Sequence, residues 1–348
     1  MARSANALLL AWLLAGAAAA TGQPVSETSS TRATHNEAAA ATDNPIIRNR
    51  FTADPAPLTV DDTLYLYVGH DEGDDGFRID EWVVYSTKDM KSWTDHGVLM
   101  RPTDFAWSEG EAWASQMVER EGRFYFYTTV EHDDSHPGKA IGVAVCDTPV
   151  GPCRDARGSA LVRDNPETWR AWSDIDPTVL VDEEGTAWMA WGNSNLYLAR
   201  LAPNMTELEG EVQELHLTNF LEGPWLHRRG NLYYLTYASF VEGEQDAEHL
   251  SYATAPSMAG PWTYRGELTG AAKNSFTIHA GIEKFKGQWY LFYHNGVLSI
   301  DGVEGSEFRR SVAVEHLLYD EADGLEPVVQ TVEGVSLPPC AQGTPFQD

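Results

Sequence analysis

The chain has 348 residues, of which 52 are Asp or Glu and 24 are Lys or Arg, so its formal net charge is −28. Such a charge repels phosphate, and we therefore expect neither nucleic acid nor an anionic membrane surface as a partner. With 43% apolar residues, including 12 Trp, 14 Tyr and 12 Phe, the chain can bury a sizeable core.

The N-terminal segment predicts an export signal. After one arginine, residues 7–14 (ALLLAWLL) form an apolar run too short to span a bilayer, and small residues follow up to position 20. We expect residues 1–20 to be a signal peptide of a secreted or periplasmic protein; a buried N-terminal helix is the alternative. Residues 21–43 lack aromatic and periodic apolar positions, which predicts a disordered linker. No later segment is long and apolar enough to cross a membrane.

From residue 44 onward the pattern is β, and it repeats. Five short runs alternate apolar and aromatic residues directly after a turn residue. The turn residues are Asp62, Gly122, Gly185, Gly230 and Gly287, which lie 60, 63, 45 and 57 residues apart. A repeat of this length contains several strands, and it predicts an all-β fold, a five-bladed β-propeller over residues 44–335. A β-sandwich is the alternative, but it gives no reason for so long a period.

Three of these runs are followed by a second shared element, which predicts the hairpin turn between the two outer strands of a blade. It spans residues 86–93 (STKDMKSW), 146–153 (CDTPVGPC) and 255–262 (APSMAGPW). In the second copy, Cys146 and Cys153 take the places of Ser86 and Trp93. Two facing cysteines in an exported protein predict a short-loop disulfide, with two reduced thiols as the alternative. Cys340 remains, in the C-terminal tail.

The repeat also predicts that ionisable residues meet at one end of the propeller axis. Eight residues before each turn residue lies the strand expected to line that axis. This offset gives Asp54, Ala114, Pro177 beside Asp176, Glu222 and His279. Because inner strands run in the same direction in every blade, equivalent positions converge. We therefore expect three carboxylates and a histidine in one small space; the alternative, solvated surface carboxylates, leaves their shared register unexplained.

Carboxylates that converge among aromatic residues suit the hydrolysis of a glycosidic bond. One acid must be protonated to help the leaving oxygen depart, and a second must be ionised to activate water from the other face of the sugar. Aromatic rings offer a stacking surface for the sugar. Metal-dependent phosphate chemistry is a competing use of clustered carboxylates, but neither a Lys or Arg clamp nor a Gly-rich loop accompanies them.

In this order, the motifs resemble glycoside hydrolase family 43, and more closely its bacterial α-L-arabinofuranosidase and β-xylosidase members. The motifs are residues 51–56 (FTADPA), 174–179 (DIDPTV), 222–225 (EGPW), 278–283 (IHAGIE) and 287–295 (GQWYLFYHN). The resemblance covers about residues 44–334. It implies a five-bladed propeller and an exo-acting, inverting hydrolase that releases arabinofuranosyl or xylosyl units from plant arabinoxylan, arabinan or xylo-oligosaccharides. An α-L-arabinofuranosidase is the first expectation, and a β-xylosidase the alternative.

The resemblance also implies roles for the residues that match its motifs. Asp54 matches the general base and Glu222 the general acid. Asp176 matches the third carboxylate, which orients the acid and raises its pKa. Trp113 matches the aromatic residue that packs on the sugar.

Two further matches concern the substrate and a metal. Arg310 matches a basic residue that contacts the substrate. His279 matches an axial histidine that in some members lies beside a calcium ion. We expect no required cofactor, and the resemblance allows a structural calcium on the propeller axis with His279 as a ligand; a calcium ion takes about six to eight oxygen ligands.

Several other features leave alternatives open. His70 and His132 follow the second strands of their blades and either lie on the loop surface or reach the pocket, whereas Asn193 and Asn295 are expected to cap turns. The loop 241–246 is expected to discriminate between the two sugars.

The tail 336–348 is too short for a carbohydrate-binding module, which favours short oligosaccharides or polysaccharide side chains as the substrate. A propeller that binds sugar without cleaving it is the alternative from another functional class.

Overall fold

The protein is described by a computed structural model that covers residues 43–163, 172–241, 244–341 and 343–346. It is 54% strand and 2% helix, and its sheets form five blades in a propeller arrangement. The predicted propeller is therefore confirmed and the sandwich alternative is wrong. The predicted signal peptide and nearly all of the linker lie outside the described residues. In the part of the chain that is described, no helix is long and apolar enough to cross a membrane.

The blades follow one another along the chain. Blade 1 consists of β1 (Thr52–Val60), β2 (Thr63–Asp71), β3 (Ile79–Thr87) and β4 (Thr94–Met100). A 3-10 helix, Pro102–Asp104, leads to blade 2, which consists of β5 (Ser108–Gly110), β6 (Ser115–Arg120), β7 (Arg123–His132), β8 (Gly138–Cys146), β9 (Cys153–Asp155) and β10 (Val162–Arg163). Blade 3 consists of β11 (Thr178–Val181), β12 (Ala187–Trp191), β13 (Leu196–Leu201) and β14 (Leu208–Leu215).

The last two blades differ in strand number. Blade 4 consists of β15 (Phe220–Arg229), β16 (Leu232–Val241), β17 (Glu244–Ala255) and β18 (Thr263–Thr269). Blade 5 consists of β19 (Gly281–Phe285), β20 (Gln288–Asn295) and β23 (Ser311–Leu317). A separate hairpin of β21 (Ser299–Ile300) and β22 (Val303–Glu304) lies between its last two strands in sequence, and a 3-10 helix, Gly334–Ser336, follows.

The aromatic runs form the second strand of each blade, namely β2, β7, β12, β16 and β20. Each pairs at both edges with antiparallel neighbours of its own blade. Successive residues of β7 and β20 are buried, so both faces of these strands are covered and alternation between polar and apolar residues is weak. The core lies between blades. Trp82 of blade 1 packs edge-on against Phe126 of blade 2, for example, with ring centroids 5.4 Å apart.

The N-terminal residues close the ring of blades. The backbone N–H of Ile46 donates to Val312 of β23 at 2.9 Å. The amide of Asn44 donates to the buried carboxylate of Glu315 at 3.0 Å, and its carbonyl accepts from the N–H of Val314 at 2.8 Å. The start of the described chain is thereby fastened to the last strand of blade 5.

Irregular backbone at the inner strands positions the carboxylates. The register of β1 shifts between Ala53 and Ala56, and that of β15 shifts between Phe220 and Trp225. Asp54 has φ 52°, a left-handed conformation that costs a residue with a side chain about 1–3 kcal/mol and that clusters at functional sites. These bulges turn side chains towards the axis that a regular strand would direct into the blade interface.

The outer hairpin of blade 2 carries the disulfide. Cys146 and Cys153 are partners in the ladder between β8 and β9, with Cα atoms 3.9 Å apart, and the structure joins them. Cys340 is free and exposed. In blade 1 the equivalent pairing was expected between Ser86 and Trp93, but Ser86 pairs with Thr94. Trp93 is buried in the core and lies before the start of β4.

Candidate active site

One end of the propeller axis opens into a small cavity that gathers all six predicted site residues. About 380 Å³ of space, part of it open to solvent, lies between its lining residues. The lining residues are Asp54, Phe77, Trp113, Ala114, Trp172, Ile175, Asp176, Glu222, Thr277, His279 and Arg310. Inner strands and the loops beside them supply these residues from all five blades, as the shared offset predicted.

His279 stands at the centre of the carboxylates. Its Nδ1 lies 3.2 Å from Oδ1 of Asp54, and its Nε2 lies 3.2 Å from Oε1 of Glu222 and 3.9 Å from Oδ2 of Asp176. Burial opposes the charge on the ring, but the carboxylates prevail and raise the pKa of His279 to about 10. The imidazole is therefore a cation at neutral pH; it donates a hydrogen bond from Nε2 to Glu222 and forms an ion pair with Asp54 on its other side.

Glycine at position 223 makes room for this ring. Gly223 has φ 56°, and a Cβ atom there would lie 2.9 Å from the imidazole of His279. Both the backbone conformation and the close approach therefore require glycine. The Glu-Gly-Pro sequence of β15 thus places Glu222 beside the histidine.

Asp54 is 7% exposed and lies between two cations. Besides the contact with His279, its Oδ1 accepts a hydrogen bond from Nη1 of Arg310 at 3.2 Å. Its backbone N–H donates to Nδ1 of His294 at 3.2 Å. Burial and the charge of Arg310 hold the pKa of His294 well below its usual range, so the ring is neutral and keeps its proton on Nε2, which faces the carbonyl of Thr277 at 3.0 Å.

Arg310 is itself held by a buried aspartate. Asp71 accepts from the backbone N–H of Arg310 at 2.8 Å, from Nε at 2.9 Å and from Nη2 at 3.0 Å. This bidentate pair leaves Nη1 free to reach Asp54 and the hydroxyl of Thr277, the latter at 3.1 Å. The geometry fixes the guanidinium at the wall of the cavity.

Asp176 and Glu222 differ in their preference for a proton. Burial raises the pKa of Asp176 to about 7, and the charges of Glu222 and Asp54 add to this effect, although His279 opposes it. Burial also favours the neutral form of Glu222, but hydrogen bonds from His279 and Asn193 outweigh it and lower the pKa of Glu222. These directions favour a proton on Asp176 over one on Glu222, because the imidazolium of His279 stabilises the ionised form of Glu222.

Neighbouring blades hold the two carboxylates in place. Oδ2 of Asp176 accepts from the N–H of Gly223 at 3.0 Å, and its own N–H donates to the hydroxyl of Thr129 at 2.9 Å. The amide of Asn193 donates to Oε2 of Glu222 at 2.5 Å. Asn193 was expected to cap a turn, and it contacts the predicted general acid instead.

A fourth carboxyl group, Glu248, lies behind Glu222. It is 1% exposed, and its Oε2 accepts from the N–H of Ile278 at 3.0 Å. Burial and the charge of Glu222 raise the pKa of Glu248 well above its usual range, so this residue is a neutral acid. Nothing in its sequence context distinguishes it from the many surface glutamates, and sequence analysis missed it.

Aromatic residues form one wall of the cavity. The indole N–H of Trp113 donates to the carbonyl of Phe77 at 3.0 Å, and the Trp113 ring meets Trp172 edge to face at 5.2 Å. Trp172 is 49% exposed and stands at the mouth. The guanidinium of Arg310 lies over Phe77, 5.0 Å from its centroid. Phe77 and Trp172 were not predicted, although Trp172 lies close to the Asp-Ile-Asp motif.

The remaining polar candidates lie elsewhere. His70 contacts Glu81 at 3.1 Å, and His132 packs on Trp107 with ring centroids 5.2 Å apart; neither lines the cavity. Asn295 is buried, and its carbonyl accepts from Ser311 at 2.8 Å, which is a contact within blade 5. Residues 242–243 of the loop 241–246 lie outside the described residues.

The side chains around His279 do not fit a calcium ion. Asp176, Glu222 and His279 offer ligand atoms within 4.8 Å of one another. Calcium prefers about six to eight oxygen ligands, whereas this set supplies two carboxylates and a ring whose two nitrogens each face a carboxylate.

Comparison with known proteins relates this site to a family of sugar hydrolases. Residues 42–325 match the model of glycosyl hydrolases family 43. A xylosidase/arabinosidase from Bacteroides ovatus is 30% identical over 340 residues, which covers 83% of this chain and 97% of the relative. Xylosidase/arabinosidase 43A from Humicola insolens is 28% identical over 336 residues, covering 80% of this chain and 96% of the relative.

Solved structures with a similar fold are of enzymes with similar names. A family 43 β-xylosidase/α-arabinofuranosidase from a compost microbial metagenome, in complex with xylotriose and free of calcium, has a TM-score of 0.72 and 25% identity, covering 83% of this chain and 98% of that one. An α-L-arabinofuranosidase from Clostridium thermocellum has a TM-score of 0.66 and 30% identity, covering 83% of this chain and 97% of that one.

Proposed function

This chain belongs to glycosyl hydrolases family 43, and we propose that it is an exo-acting, inverting enzyme that releases single terminal pentosyl units, with α-L-arabinofuranosides as its preferred substrates. One observation carries the proposal: Asp54 and Glu222 lie on opposite sides of one imidazole ring, each 3.2 Å from one of its nitrogens. A ring between two carboxylates keeps them out of direct contact. Inverting glycosidases need such a gap, with carboxyl groups roughly 6.5–9.5 Å apart, to admit a water molecule.

In the proposed reaction Glu222 gives a proton to the glycosidic oxygen while the bond to the anomeric carbon breaks. Asp54 takes a proton from a water molecule, whose oxygen bonds to that carbon from the opposite face. Glu222 is ionised while His279 and Asn193 hold it, so it must receive a proton as substrate enters. A sugar that excludes water from the pocket raises the pKa of Glu222, and Asp176 holds a proton next to it.

The size of the cavity supports exo-action. Trp113, Phe77 and Arg310 bound a small cavity, which suits a single terminal sugar ring better than a stretch of polysaccharide. The half-exposed Trp172 at the mouth leaves the rest of an oligosaccharide outside. A terminal arabinofuranosyl unit on arabinoxylan or arabinan fits this arrangement, and so does the end of a xylo-oligosaccharide.

A panel of 4-nitrophenyl α-L-arabinofuranoside, β-D-xyloside and β-D-galactoside tests the assignment. We expect the arabinofuranoside to have the highest kcat/KM. Asp54→Asn should lower turnover on every substrate by about 10²–10⁴-fold. Glu222→Gln should lower it much less on nitrophenyl glycosides than on natural oligosaccharides, because a good leaving group needs little protonation. Equal losses on both kinds of substrate would contradict the role of Glu222.

A β-xylosidase is the second candidate. The observation that supports this candidate is a similar structure, of an enzyme named for both activities, which was solved with xylotriose. A higher kcat/KM on the xyloside would select it. A propeller that only binds sugar is the alternative from another class, and it would show binding of arabinose or xylose with no turnover of any glycoside in the panel.

A further inference from the structure

Lys139 is a buried lysine next to the cavity that no step of the proposed reaction uses. Burial lowers the pKa of Lys139 to about 7, whereas its ion pairs with Glu131 and Glu111 favour the charged form. This lysine belongs to β8, and its side chain is 4% exposed, whereas the other five lysines of the chain are partly or fully exposed. Its ammonium lies over the ring of Trp113, 3.8 Å from the centroid. It also bonds Oε2 of Glu131 at 2.9 Å and the carboxylate of Glu111.

A buried lysine at this position lowers stability unless other groups compensate the loss of hydration of its ammonium group. Burying an ammonium requires partners for it, and a methionine of similar length would fill the same space without that need. The two glutamates that satisfy the charge are only partly buried, with side chains 42% and 34% exposed at Glu111 and Glu131. Two carboxylates therefore hold the ammonium of Lys139 against one aromatic ring.

That ring has other contacts, which lie mainly at its edges: it packs against the core and meets the ring of Phe77 edge to face at 6.5 Å. The indole edge of Trp113 is tied to the carbonyl of Phe77 by one hydrogen bond of 3.0 Å. Its ring also touches Trp172, which is itself half-exposed at the mouth. Lys139 covers one face of the ring, so a sugar in the cavity can use only the other face or the ring edge. A desolvated cation–π contact of this kind favours one orientation of the ring over others.

We propose that Lys139 is a positioning residue that fixes Trp113 as the platform for the bound sugar, and thereby sets the affinity of the site. The inference rests on the proposed function, in which Trp113 packs on the sugar. It assigns no chemistry to Lys139, which the ring separates from the substrate.

The test compares Lys139→Met with a matched control, Lys284→Met. Lys284 is exposed on β19, and its ammonium lies over Trp289, 6.0 Å from that centroid and outside the cavity lining. On the best nitrophenyl substrate, Lys139→Met should raise KM about tenfold and change kcat less than threefold. Lys284→Met should change neither. Lys139→Arg should restore most of the affinity, because a guanidinium also stacks on an aromatic ring.

A double-mutant cycle separates positioning from general destabilisation. Trp113→Ala should raise KM by itself, and adding Lys139→Met should then have no further effect. A second tenfold increase in the double variant would show that Lys139 acts through something other than the ring. An unchanged KM in the single variant Lys139→Met would overturn the proposal.

Two further measurements keep the inference independent of folding and of turnover. If Lys139→Met does not fold, Glu131→Gln weakens the hold on the ammonium at a partly exposed site, and it should raise KM two- to fivefold; no change would contradict the proposal. Calorimetric Kd values for arabinose and xylose should show the same ratios as KM. No turnover by the wild type would refute the proposed function alone, whereas equal Kd values for wild type and Lys139→Met would refute the positioning role.

Discussion

Replacing Asp71 by Asn tests how the site holds its arginine. The Asp71 side chain is fully buried and accepts three hydrogen bonds from Arg310, of 2.8, 2.9 and 3.0 Å. Asparagine has the same shape, but one of its two terminal groups is a donor, which would face an N–H of Arg310. At least one bond is lost, and the guanidinium is left buried with no compensating charge at that position. Removing one partner of such a pair costs about 3–5 kcal/mol.

The cost should be visible in stability and in activity. We expect the melting temperature of Asp71→Asn to fall by roughly 6–12 °C in calorimetry. Because Nη1 of Arg310 donates to Asp54, kcat/KM should also fall, by about tenfold or more. The control is Asp62→Asn, which removes an exposed pair with Lys88 and should leave the melting temperature nearly unchanged. A melting temperature within 2 °C of the wild type would refute this reasoning about the Asp71–Arg310 pair.

Three more expectations follow from the charges of the site. Asp176→Asn removes the acid that holds a proton beside Glu222 and whose pKa is raised to about 7, so the loss of kcat/KM at alkaline pH, expected near pH 7 in the wild type, should move to lower pH; a profile that does not move would contradict the coupling. The pKa of His279 is raised to about 10 in the folded protein, so its stabilising effect is complete below about pH 6.5 and is lost as pH rises towards 10. In urea unfolding at several pH values, the free energy of unfolding should fall less at alkaline pH for His279→Gln than for the wild type. The same pH dependence in both proteins would refute this expectation. Because the side chains around His279 do not fit calcium, dialysis against EDTA should leave activity unchanged, whereas a loss that calcium restores would show that the metal matters.

The repeat in the sequence was enough to predict the fold and where the site lies. Aromatic runs after Asp62, Gly122, Gly185, Gly230 and Gly287 became the second strands of five blades. The physical reason is that every blade must bury the same strand between two neighbours, so the same pattern recurs. A fixed offset then located the inner strands, whose ends converge at the axis by symmetry.

Differences in turn length limited how far the offset could be applied. Asp54 and Glu222 stand eight residues before their turn residues, but Asp176 stands nine before Gly185. The turn after β11, residues 182–186, is longer than the turns after β1 and β15, and β11 has no register shift. In the outer hairpin of blade 1, β4 begins one residue after Trp93, so Trp93 lies outside the pairing expected for it.

Partners from distant parts of the chain could not be predicted. Asp71 and Arg310 are 239 positions apart, and Asn193 and Glu222 come from different blades. Each of these residues has an ordinary local context, and only the closed ring of blades brings them together. The greater tendency of Asp176 than of Glu222 to hold a proton has the same origin, because it depends on how His279 packs against Gly223.

The anomer first released from 4-nitrophenyl α-L-arabinofuranoside, or from the β-D-xyloside if that is the better substrate, tests the central claim most directly. Proton NMR should be recorded within the first minutes, before the free sugar mutarotates. If Asp54 activates water across the gap that His279 spans, the first product has the inverted configuration, β-arabinose or α-xylose respectively. A first product of retained configuration, or a glycosyl ester trapped on Asp54, would contradict the account.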